Sequence, residues 1–229
     1  MTILKDLILI IPQDIIFNVE DSSPKTDITK SKAYAFSNET SCISSFYTRL
    51  LPKVKTENVK RIIVECVEDL NESDRIKIGA GIATIQVKLD YQVYFSSEET
   101  EKKRIASKLI REGLIYLSLE KDGDSKVFEE IYLKIEELQY KNKYIYKKKY
   151  SPNRKYVCNV VCEHEIDFFS IFLEIADNKE GEIISRKEII QVVPHPIIMN
   201  KYFGEATWDL NNRVIYCDKF KQNQWELSI

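Results

Sequence analysis

Ile82-Ala83-Thr84-Ile85-Gln86-Val87-Lys88-Leu89-Asp90-Tyr91-Gln92-Val93-Tyr94-Phe95 is the stretch on which the fold turns. Its odd-numbered positions are all apolar, and most positions between them are polar. Side chains on a strand alternate between faces, so this period of two predicts one long strand, or a hairpin bent near Asp90, with one wet face. Gly79-Ala80-Gly81 supplies the entry turn. After Phe95 the period changes. Ser96 and Glu99 have the spacing of a capping box, and Ile105, Ala106, Leu109, Ile110, Leu114 and Leu117 follow at helical spacing. Lys121-Asp122-Gly123-Asp124 breaks that helix, and Phe128, Ile131, Tyr132, Ile135 and Leu138 define a second. The short connection predicts an antiparallel helical hairpin.

Upstream, residues 7–11 and 15–19 read as strands around Pro12-Gln13-Asp14. Residues 21–45, rich in Ser, Thr, Asp and Lys, read as a loop, and 44–51 as a short helix ended by Pro52. Arg61–Val67 reads as a strand. Downstream, 144–150 and 155–165 flank Ser151-Pro152-Asn153-Arg154 as a hairpin, and 168–176 and 182–193 flank Asp177-Asn178-Lys179-Glu180-Gly181 as another. Residues 213–217 and 225–227 form a smaller pair. The order of strands, two helices, then strands predicts an α+β fold. Antiparallel sheets would carry the two-helix hairpin on one face, rather than alternating βαβ units. The 229 residues read as a single domain, 1–229, with a sub-boundary near 122–143.

Apolar residues make up 44% of the chain, enough to build a core, and Gly and Pro number six each, so regular elements dominate. With 34 basic and 36 acidic residues the net charge is -2, without the basic excess of a dedicated nucleic-acid binder. Five cysteines at irregular spacing do not read as a disulfide framework. The apolar run at 7–11 is too short for a signal sequence or a membrane span, so the expectation is a cytoplasmic protein without a membrane partner.

Cys158, Cys162 and His164 come nearest to a reactive or metal-binding set. A structural zinc site needs four ligands, usually with close Cys pairs, and a nucleophilic Cys needs a base across the site rather than a neighbour on its own strand face. Core packing is therefore the favoured reading, with no metal and no cofactor. Residues 141–155 carry seven cations and no carboxylate, with tyrosines interleaved. Lys143, Lys147, Lys149, Tyr146 and Arg154 could neutralise phosphates and stack bases. The acidic strands that follow favour pairing across the sheet instead. Glu163, Glu165 and Asp167, spaced by two, predict a column of carboxylates on one strand face, either solvated or facing a basic partner. No phosphate loop, nucleophile elbow or His-Glu-x-x-His motif occurs, and no catalytic residue is assigned.

The layout from about residue 80 to 220 resembles that of bacterial immunity proteins of polymorphic-toxin systems. The strand from Ala83 leads into a helix with Glu101-Lys102-Lys103-Arg104. An Asp-Gly break precedes Phe128-Glu129-Glu130-Ile131. Lys/Tyr strands and a late Gly204-Glu205-Ala206-Thr207-Trp208-Asp209 segment follow. The resemblance implies a non-enzymatic inhibitor that binds a cognate toxin, often a basic nuclease domain. It carries over no binding residue. The alternatives are a nucleic-acid accessory protein using the basic hairpin, and a small hydrolase or nuclease.

Overall fold

The computed structural model describes residues 2–12, 32–56, 58–119 and 125–229. The expected strand at 15–19, and the helix break at 121–124, lie outside them. The fold is α+β and rich in antiparallel sheet, with two compact units, Met1–Tyr140 and Lys141–Ile229.

The first unit contains β1 (Thr2–Ile3), β2 (Asp6–Ile10), α1 (Lys32–Leu50), β3 (Lys55–Thr56), β4 (Arg61–Val67), β5 (Ile76–Gly79), β6 (Ile82–Lys88), α2 (Tyr91–Ser96), α3 (Glu99–Leu119) and α4 (Lys126–Glu137). Its main sheet has the order β2-β4-β6-β5, and β2, β4 and β6 run parallel. The α+β reading holds, but the expected antiparallel pairing does not extend to this sheet, because β2-α1-β4 is a crossover unit. The reason lies in residues 32–45, expected as loop but helical in α1, while 21–31 lie outside the described residues. In α1 the hydroxyls of Thr40, Ser41, Ser45 and Thr48 donate back to carbonyls three or four residues earlier, at 2.7–3.0 Å. These four hydroxyls of a Ser/Thr-rich segment are thus satisfied inside a helix, while Phe36, Ile43, Phe46 and Tyr47 enter the core.

The second correction concerns the opening stretch. β6 ends at Lys88, and Asp90 caps α2 by accepting from the Val93 amide at 3.0 Å. Asp90 acts as an N-cap rather than a strand residue. Tyr91 and Tyr94, three apart, are buried as a helix requires, whereas Val93 is exposed. Ser96 closes α2 and does not open α3, and Leu138 is exposed just beyond α4.

Registered rows Leu7, Ile62, Ala83 and Leu9, Val64, Ile85 form the buried face of this sheet. α1 and α3 pack there, and α4 packs on both helices. α3 approaches the strands closely at Gly113, where an added Cβ would sit 3.1 Å from Val64 and 3.3 Å from Ile85. The glycine brings α3 down onto the strands.

The second unit contains β7 (Asn142–Tyr150), β8 (Tyr156–His164), β9 (Phe169–Asp177), β10 (Ile183–Val192), α5 (Pro196–Tyr202), β11 (Glu205–Asp209), β12 (Arg213–Cys217) and β13 (Gln224–Ser228). β7 to β10 form an antiparallel meander, and β11 to β13 form another. Cys158, Val160, Cys162, Phe169, Ile171 and Leu173 from the first meander share one core with Met199, Ala206, Val214, Tyr216 and Leu227. The edge strands are irregular: β7 is bulged between Ile145 and Lys147, and β10 between Ile183 and Ser185 and between Glu188 and Ile190.

Candidate functional site

The expected carboxylate column does not form. β8 stops at His164, and residues 165–168 close a tight turn in which the Glu165 amide donates to the Phe168 carbonyl at 2.9 Å. Glu165 and Asp167 therefore belong to the turn, and only Glu163 stands on the strand. A one-strand reading of 155–165 missed this because the period-two pattern says nothing about where a strand bends.

Glu163 lies in a charge network on the face of β7–β10 that points away from the core. Its carboxylate accepts from Lys143 at 2.9 Å and from Arg186 at 3.0 Å. The Arg186 guanidinium lies 4.1 Å from the Phe172 ring centroid and also reaches Glu174 at 3.1 Å. Glu174 is nearly buried. Two cations thus meet two carboxylates, and the central patch is close to neutral. Arg suits this position because its planar fork bridges two acids while stacking on an aromatic face.

The basic hairpin is likewise absorbed in part. Lys143 serves Glu163, and Lys147 pairs with Glu205 on β11. Lys147 holds the Glu205 carboxyl below the usual carboxylate range. Tyr146 sits at the bulge and packs 4.9 Å from Phe203, so it forms no stacking platform on an open face. Lys149 and Arg154 remain exposed. The Lys149 carbonyl accepts from the Trp208 indole at 3.0 Å, and that of Arg154 from the Asn178 side chain at 2.9 Å.

Cys158 and Cys162 are fully buried and His164 nearly so, its ring 5.8 Å from Phe169. Burial pushes both thiols up to about 12, which keeps them protonated near neutrality. Among the described residues no group of three or more His, Cys, Asp or Glu side chains could hold a metal. Of the five free cysteines only Cys217 is partly accessible. A thiol reagent at neutral pH is expected to modify about one thiol per native chain and the rest only after denaturation. Rapid reaction of two or more native thiols would contradict the sealed core.

In the first unit, a cavity of about 560 Å³ is lined by residues including Arg75, Lys108, Arg111, Glu112, Tyr116 and Tyr132. Arg75 stacks on Tyr116 at 3.9 Å and reaches Glu112 at 3.5 Å, while Arg111 makes a two-pronged contact with Glu129 at 2.6 and 3.0 Å. Both guanidinium groups are paired with carboxylates in place. A second polar cluster joins α1, α2 and α3. Lys102 lies 3.0 Å from Glu39 and over the Tyr94 ring at 5.6 Å. Burial first, and Glu39 second, raise the Tyr94 hydroxyl far above the usual phenol range.

Among the described residues no helix is long and apolar enough to cross a membrane. Comparison with protein-family models, curated proteins and solved structures finds no significant match.

Proposed function

We propose that this chain is a non-enzymatic binding protein of the immunity type, which neutralises a cognate protein toxin by tight, reversible association. The observation that supports this reading is the use made of the chemistry-bearing side chains. Cys158, Cys162 and His164 are core residues, and Glu163, Glu174, Lys143 and Arg186 are committed to one another. A catalytic set needs a reacting group held open to substrate beside a base or an electrophile. A binder needs only rigid elements with exposed, energetically useful side chains.

The test is co-expression with the toxin domain encoded by the neighbouring gene. Cells carrying the wild-type chain are expected to survive, and the purified pair to co-elute. Lack of protection together with lack of complex formation would overturn the proposal.

A further inference from the structure

In the second unit, α5 and the turn after β12 carry exposed apolar side chains together with lysines, and the two segments are hydrogen-bonded to each other. Val193, Ile197, Ile198 and Phe220 are 57%, 79%, 38% and 61% exposed. Ile197 and Lys201 are four residues apart on α5 and so share a face. The Lys219 amide donates to the Lys201 carbonyl at 3.0 Å, and its ammonium to the Asn200 side chain at 3.2 Å. These bonds bring Phe220 beside the α5 C-terminus.

The turn that presents Phe220 is over-determined. Asp218, 2% exposed, accepts from the amides of Phe220 at 3.1 Å and Gln222 at 2.8 Å, and from the Asn223 side chain at 2.7 Å. Lys221 holds a φ of 56°, which a non-glycine residue adopts at a cost. Gly204 fixes the other side, because its Cα abuts the Cys217–Asp218 backbone. This turn closes the β12–β13 hairpin and holds Phe220 exposed beside α5, and exposed apolar patches mark interaction sites.

Charge selects the occupant. Residues 189–204 contain no Asp or Glu, and neither do 219–225. Lys201 lies one turn along α5 from Ile197, and Lys219 and Lys221 flank Phe220 in the chain. We propose that this surface docks an acidic protein segment carrying apolar side chains, with Phe220 and Ile197 as anchors and the three lysines as a steering rim. The inference rests on the binding-protein reading above. A second copy is disfavoured because a two-fold contact would set like-charged rims against each other. A lipid surface is disfavoured because α5, at seven residues, is too short to lie in the interface as an amphipathic helix.

The experiment is a selection from a display library of short random peptides on the immobilised full chain. It is repeated on Phe220→Ser/Ile197→Ser and on Lys201→Gln/Lys219→Gln/Lys221→Gln variants. Enriched peptides are expected to combine Asp or Glu with Leu, Phe or Trp. They should bind the apolar variant roughly tenfold or more weakly, and the lysine variant with reduced salt dependence. Each variant's thermal midpoint is measured first, and if the apolar pair lowers it the lysine variant decides. Enrichment of basic or neutral peptides, no enrichment at all, or equal binding to wild type and variants would overturn the proposal. So would retention on phosphatidylserine vesicles without peptide enrichment, or self-association abolished by the apolar variant. If the variants still protect cells from the toxin as well as wild type does, this surface is wrong and the binding function stands. If wild type also fails to protect, the functional reading itself has failed.

Discussion

Gly204→Ala is expected to lower the stability of the second unit by about 3 kcal/mol or more. An added Cβ would fall inside the van der Waals envelope of the Cys217 carbonyl oxygen and within 2.8 Å of the Asp218 backbone. These are main-chain atoms, so no rotamer change relieves the overlap. The same amide donates to the Tyr216 hydroxyl at 2.8 Å, which in turn donates to the Tyr202 carbonyl at 2.6 Å. Moving the glycine therefore disturbs a buried hydrogen-bonded link as well. Both tryptophans, Trp208 and Trp225, lie in this unit, so urea unfolding followed by indole fluorescence reads it selectively. A loss below about 1 kcal/mol would mean that the 217–218 backbone yields to the methyl group.

Phe169→Ala should cost about 3–5 kcal/mol in the same assay. Phe169 is fully buried between the two meanders and meets His164 and Phe203 edge-on at 5.8 and 5.5 Å. Truncation removes both ring contacts and leaves a cavity walled by strands, which cannot collapse freely. A cost near that of a surface substitution, within about 0.5 kcal/mol, would mean that the core repacks around the gap. With both ring and glycine replaced, the losses should not add simply, because Phe203 touches one and adjoins the other.

The sequence made the second unit largely legible, since its meanders are built from neighbouring strands whose alternation and turn residues are local signals. Arg213–Cys217 reads directly as a strand, and the hairpin turns at 151–154 and 177–181 fall where Pro, Asn and Gly occur. The first unit was harder. Its parallel pairing joins β2 to β4 across α1, and α1 was hidden by hydroxyls that bond back along the helix. α2 was hidden because Tyr91, Val93 and Phe95 continue the alternation of β6 by coincidence, and only Asp90 marked the change. α5 has just seven residues, too few for a periodicity to register. Of the candidate site, the cross-strand neutralisation of the basic hairpin was foreseeable from charge order, as with Lys143 and Glu163. The Arg186 bridge was not, because it depends on a side chain lying along the sheet over Phe172 to reach an acid two strands away.

The irregular pairing of β7 and β10 limits how another chain can engage this sheet. A regular edge offers a ladder of amides and carbonyls that an extended peptide can continue as an extra strand. Each bulge twists the edge and throws one residue out of step, so such a guest would lose its hydrogen-bond partners after a few residues. β7 also accepts from the Trp208 indole at Lys149, using up a carbonyl that a guest strand would need. Recognition by main-chain templating, and with it runaway fibril growth from these edges, is therefore disfavoured. A partner that meets these two edges is therefore read through side chains, and such a choice of partner can be rewritten one surface residue at a time without touching the backbone that presents them.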